Sequence, residues 1–209
     1  MFPLKFLPAV TAAVLLAAVL PSPAQQVNTE FRIQKIEPTF VESPSYTGPR
    51  FDKRGGKAGS WLEVEVTFEW QPKLKEPKYT EELTANFYVL LNNKGQQFPQ
   101  GALLVGSVNL MSIPQGKDLH TVMFVSPRTL ERMFDGKVPA NANGTLVDVG
   151  VTLSKQGQVV ASTSWKSTTG EWWPKLQQTP GYVLNKNETP FAPLAWDYYE
   201  AIKPKGAGF

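Results

Sequence analysis

The sequence predicts an all-β protein, an immunoglobulin-like β-sandwich of about seven strands with one short helix and an irregular aromatic C-terminal extension. Three observations predict it. Apolar and polar residues alternate with a period of two through much of the chain. Turn residues recur at short intervals, with 18 prolines and 16 glycines spread over 209 residues and no low-complexity tract. Long helical periodicity is absent. Short strands punctuated in this way are the pattern of two packed sheets, and a closed barrel is the competing architecture.

In the first strand Phe31, Ile33 and Lys35 alternate with Arg32, Gln34 and Ile36, and Pro38 ends it. Residues 61–70 form the clearest strand: Leu62, Val64, Val66, Phe68 and Trp70 share one face, and Glu63, Glu65, Thr67 and Glu69 the other. That spacing places the apolar set on the core and the carboxylates in water. Residues 83–91 carry Phe87, Val89 and Leu91 on one face, and Asn92-Asn93-Lys94-Gly95 signals a turn. Residues 102–113 are apolar for much of their length and read as a buried strand or a bulged pair. Residues 117–125 set Leu119, Thr121, Met123 and Val125 against His120, Val122 and Phe124.

One helical crossing follows. Ser126 suits an N-cap, Pro127 suits the first helical position, and residues 129–134 make a turn or two before Gly136. Residues 145–154 then align Val147, Val149, Val151 and Leu153, and Lys155-Gln156-Gly157 turns the chain into residues 158–165 as a hairpin. Beyond Gly170 the chain turns irregular and aromatic, with Trp172, Trp173, Tyr182, Phe191, Trp196, Tyr198 and Tyr199, and a short helix is expected within residues 193–202. Three segments result: 1–24 a signal peptide, 25–169 the sandwich, 170–209 the extension.

Residues 1–24 have the form of an export leader. Lys5 gives a positive start, residues 6–20 an apolar run, and Ser22 and Ala24 the small residues of a cleavage site before Gln25. The run of ~15 residues falls short of the ~20 that span a bilayer comfortably, which weighs against an uncleaved anchor. The total absence of cysteine excludes a disulfide framework, a thiolate nucleophile, a cysteine zinc or iron–sulfur site and a lipobox anchor. Export without disulfides points to the periplasm, outer membrane or surface of a Gram-negative bacterium. A net charge of +3 is too small to argue for nucleic acid or an anionic membrane.

Motifs for catalysis fail in turn. Gly55-Gly56-Lys57-Ala58 lacks the first glycine and the hydroxyl residue of a phosphate loop, so Arg50, Lys53, Arg54 and Lys57 read as a basic surface loop able to touch an acidic partner. His120 is the only histidine, mid-strand, with no G-x-S-x-G elbow in the chain, and it is one imidazole where zinc sites use several. No calcium loop appears. Asn143-Gly144-Thr145 and Asn187-Glu188-Thr189 match the glycosylation pattern, by chance in a bacterial chain. Trp172 and Trp173 are adjacent, so in an extended segment one faces the core while the other faces outward.

Ser126-Pro127-Arg128, Glu171-Trp172-Trp173-Pro174 and residues 193–200, Pro-Leu-Ala-Trp-Asp-Tyr-Tyr-Glu, together resemble the pilus-like proteins of Akkermansia-type Verrucomicrobia, which are encoded beside a type IV pilus-like secretin system. The resemblance covers the chain after the leader. It implies an immunoglobulin-like fold, an envelope location, no catalysis and self-association as a homo-oligomer. It carries no catalytic residues. The chain departs from major pilins, having no processing site before a long apolar N-terminal helix. The expectation is a non-enzymatic envelope interaction protein tied to a pilus-like or secretion apparatus, with no cofactor and no metal. Its expected contact surface comprises Trp172, Trp173, Tyr182, Trp196, Tyr198, Tyr199, Arg50, Lys53 and Arg54. The alternative is a carbohydrate-binding module stacking sugars on Trp172 or Trp173.

Overall fold

A computed structural model describes residues 30–45, 59–74, 77–95, 98–168 and 170–204. The leader and the basic loop with Arg50, Lys53 and Arg54 lie outside the described residues. Seven long strands are β1 (Phe31–Glu42), β2 (Ser60–Trp70), β3 (Tyr79–Leu91), β4 (Leu103–Pro114), β5 (Gly116–Val125), β6 (Leu146–Lys155) and β7 (Gln158–Ser164). Two short strands follow, β8 (Gln178–Pro180) and β9 (Val183–Asn185). One sheet has the order β1-β2-β5-β9 and the other β7-β6-β3-β4-β8. The two sheets remain separate, which sets the barrel aside. The long strands of the first take the A-B-E places of an immunoglobulin sandwich, and those of the second the G-F-C-C′ places.

Alternation builds the core as the spacing requires. Leu62, Val64, Val66, Phe68 and Trp70 of β2 are all buried, opposite Phe87 and Val89 of β3 and Val149, Val151 and Leu153 of β6 in one apolar cluster. Between β1 and β2 the register shifts between Ile33 and Lys35, and this bulge turns Ile36 inward where strict alternation would send it out. Pro38 does not end β1, which continues to Glu42. It is an edge strand, where a missing N–H is tolerated. Residues 103–114 form one continuous strand, not a bulged pair.

Ser126 caps helix α1 (Pro127–Met133), accepting from the Thr129 N–H at 3.2 Å. A second single turn, α2 (Ala142–Thr145), is capped by Asn141 and precedes β6, where the valine spacing had suggested strand from residue 145. The β6–β7 hairpin turns on Gln156 and Gly157, both at positive φ (51° and 78°), the signature of a type I′ turn.

The tail is part of the sandwich. β8 pairs in parallel with β4 over Leu103–Val105, and β9 pairs antiparallel with β5 over Met123–Val125, so residues 170–204 add a strand to each sheet. The helix expected within 193–202 is absent. Turns closed by Leu194 N–H to the Phe191 carbonyl (3.0 Å) and Tyr198 N–H to the Ala195 carbonyl (3.2 Å) replace it. The physical reason is local: Pro193 lacks an N–H, and Ala195 sits at φ 46°, outside any right-handed helix. Among the described residues no helix is long and apolar enough to cross a membrane.

Candidate functional site

The tail covers the outer faces of both sheets. On the β3–β4–β6 sheet the covering element is a 3₁₀ turn, Trp173–Lys175, with Pro174 at its start. Trp173 is buried, stacked on Tyr88 at 4.8 Å and packed with Leu90 and Leu103. Trp172 is half-buried, meets Trp173 edge-on at 5.4 Å and donates its indole N–H to Ser164 Oγ at 3.0 Å. Both rings are therefore engaged with the same sheet. Tyr182 lies apart from them, half-buried, its hydroxyl accepting from Arg132 at 3.3 Å.

On the β1–β2–β5 sheet the tail forms a strap. A one-turn 3₁₀ helix, Lys186–Glu188, starts it with a capping box in which Asn185 and Glu188 satisfy each other's backbone N–H groups. Buried Lys186 donates to the Ala192 carbonyl at 3.0 Å, and burial lowers its pKa. Phe191 then docks on the sheet, stacked on Phe124 at 4.6 Å with Trp61 edge-on at 5.7 Å. This second apolar cluster explains why Trp61, Val122 and Phe124 alternate outward yet are buried.

Further along, Glu65 is the polar hub. Its carboxylate accepts from Tyr198 Oη at 2.9 Å and Tyr199 Oη at 3.3 Å, and it contacts His120 Nδ1 at 3.1 Å. Tyr198 stacks on the His120 ring at 4.2 Å, and the Glu200 N–H donates to the His120 carbonyl at 2.9 Å. Burial, then the neighbouring Glu65, pushes the Glu63 carboxyl above its usual range, opposed by Thr39. Burial likewise raises Glu200, with His120 opposing. Alternation had placed Glu63 and Glu65 in water and His120 on a strand face. It assigns a face to each side chain and carries no signal for what covers that face.

The strap's turn presents the exposed aromatic surface. Trp196 is 78 % exposed and Tyr198 48 %, with Leu194 beside them, between the Phe191 anchor and the Glu65 hub. Of the expected contact residues, then, Trp196, Tyr198 and Tyr199 lie together on one face. Trp172 and Trp173 lie on the other sheet, and Tyr182 near α1. Among the described residues no group of three or more His, Cys, Asp or Glu side chains could hold a metal ion.

The tyrosines give this hub a pH signature. Desolvation and the Glu65 carboxylate push the Tyr198 phenol from 10.0 up to about 12, and burial with Glu63 and Glu65 raises Tyr199 as well. A raised pKa in the fold means stability that is complete below pH 10 and lost as pH climbs toward 12. A spectrophotometric titration should therefore show late-ionising phenols in the folded chain, absent from the Tyr198→Phe/Tyr199→Phe variant. Ionisation of every tyrosine together near pH 10 would contradict the hub.

A protein-family model matches residues 22–206 of this chain. A crystal structure of a protein from Akkermansia muciniphila is similar in fold, with a TM-score of 0.66 at 22% sequence identity, covering 85% of this chain and 94% of that one. No curated protein matches the sequence.

Proposed function

Because the chain belongs to the pilus-like protein family of Akkermansia-type Verrucomicrobia, and is in general terms a pilus-like envelope protein, we propose that it is a non-enzymatic interaction protein associated with a type IV pilus-like or secretion apparatus. The observation that carries this reading is Trp196. An indole 78 % exposed sits on a turn between buried Phe191 on one side and Tyr198, hydrogen-bonded to Glu65, on the other. A large exposed aromatic is a frequent anchor of a protein contact, because it buries much apolar area for one side chain. Support for a non-enzymatic role comes from His120, whose ring is covered by Tyr198 and whose Nδ1 is engaged by Glu65.

Less supports the carbohydrate alternative, since Trp173 is buried and Trp172 is half-buried. Trp173 has its face on Tyr88, and the Trp172 N–H is committed to Ser164. The test uses Trp196→Ala in the source bacterium. The variant should fold with unchanged melting temperature yet fall from the envelope fraction that also holds the secretin, into the soluble fraction. Unchanged recovery with the envelope would refute the Trp196 contact, and Trp-dependent binding on a glycan array would replace this reading with the carbohydrate one.

A further inference from the structure

The two long strands on one side of the sandwich, β4 and β5, are only half covered by their short partners. β8 stops at Val105 and β9 reaches no further along β5 than Met123. The remaining edges are closed by the strap. Met111 N–H donates to the Ala201 carbonyl at 2.9 Å, Lys203 N–H to the Asn109 carbonyl at 2.8 Å, and Leu110 and Ile202 form an antiparallel bridge between them. On β5 the Glu200 N–H takes the His120 carbonyl, and the Lys203 ammonium pairs with Glu82 of β3. Ile202 packs on the core. Residues 201–203 thus extend the open edge of β4 through one antiparallel bridge, and Glu200 adds a single hydrogen bond to β5. Tyr198 and Tyr199 reach Glu65 of β2, and Lys203 reaches Glu82 of β3.

The link that brings this segment back is a strained turn. Ala195 sits at φ 46°, a conformation that an alanine rarely adopts, and its neighbours Leu194 (41 %) and Trp196 (78 %) project into solvent. Straightening residues 193–196 relieves the strain and carries residues 197–203 away from their own sandwich with Phe191 still docked.

We infer that residues 197–203 are an exchangeable strand, which a second copy of this chain accepts in place of its own, giving a reciprocal dimer hinged at residues 193–196. The occupant is a second copy because the receiving edge already fits this sequence residue by residue. Exchange between copies keeps every edge hydrogen bond while removing the Ala195 strain, which is the condition under which swapped dimers form at little cost. In the dimer the two straightened hinges run beside each other, and the exposed Leu194 and Trp196 lie along that junction. The inference goes beyond the envelope role and stands on the strand edges and the Ala195 turn.

The absence of native cysteine makes the test clean. Leu110→Cys and Ile202→Cys are made separately in the full chain, and both in one chain as a control. The bridged pair should close intramolecularly in the control, showing that the geometry is competent for a disulfide. When the two single variants are mixed at high concentration and oxidised, a covalent heterodimer should form well above the homodimer of either alone. Met111→Cys with Ala201→Cys repeats the measurement at positions outside the core, should Leu110→Cys unfold the chain. Separately, Ala195→Gly should lower the dimer fraction roughly tenfold by relieving the closed turn, and Ala195→Pro, which cannot hold that φ, should raise it. A competent control without heterodimer overturns the inference, and so does a dimer fraction indifferent to residue 195.

Discussion

Trp173→Ala is expected to cost the fold about 3–5 kcal/mol, the range for deleting a large buried aromatic. The ring is 3 % exposed and stacks on Tyr88 with an interplanar angle of 12°. Beneath it lies Gly150, in the middle of β6 and paired on both sides, with Tyr88 of β3 and Ser164 of β7. A Cβ at Gly150 would overlap the indole's six-membered ring at Cε3 and Cζ3. The backbone there is held by two ladders and cannot retreat, so Gly150→Ala must displace the tryptophan. The two sites therefore form a closed pair. Each single variant should lower the urea midpoint strongly, and the double variant should lose far less than the sum, because a displaced ring cannot be lost twice. Additive losses would show that the indole's contact with Gly150 contributes little. The reason to expect a global effect is position: the ring seals Leu90 of the central strand β3 and Leu103 of its neighbour β4.

How much of this was legible beforehand follows one physical divide. Period-two spacing assigns each side chain to a face, so the core set of β2, from Leu62 to Trp70, could be read directly. The cap and first turn of α1 could be read from Ser126 and Pro127, and the β6–β7 hairpin from its glycine turn. What spacing does not encode is what lies over an outer face. Val122 and Phe124 alternate to the outside of β5, and Leu103 and Val105 make β4 apolar on both sides, which signals that both faces are covered. The cover itself comes from residues 170–203, which have no period because each residue meets a different strand. Trp196 and Tyr198 could be singled out by residue type alone, and both lie exposed on the strap's turn. Glu65, His120 and Glu200 could not, since their roles depend on where the strap crosses the sheet. The helix expected within residues 193–202 failed for a local reason, since Pro193 lacks an N–H and Ala195 sits at φ 46°. From the turn that results, the Tyr198 and Tyr199 hydroxyls reach Glu65.

Glu65→Ala is expected to release the strap at a cost of about 2 kcal/mol, on opposing terms that can be weighed. A carboxylate that accepts from neighbouring donors contributes ~1.5–3 kcal/mol per hydrogen bond where those donors are otherwise buried. Tyr198 is half-exposed and recovers a water partner at little cost, so its share is small. His120 and Tyr199 are more enclosed and carry most of the loss. Against this, Glu65 stands directly across from Glu37 on β1, with Glu63 two residues away on the same face. Removing one carboxylate from that group relieves like-charge repulsion worth a few tenths of a kcal/mol. The net loss falls on the strap and not on the core. Amide exchange at Met111, Glu200 and Lys203, the groups that zip residues 200–203 to β4 and β5, should quicken roughly thirtyfold, since 1.4 kcal/mol is a factor of ten. The thermal midpoint should move much less than for Trp173→Ala. Glu65→Gln keeps one acceptor oxygen without the charge and should fall between. Unchanged exchange at those amides would mean that Glu65 is an ordinary solvated carboxylate, as alternation along β2 alone implies, and that the strap is held by Phe191 and Ile202 instead.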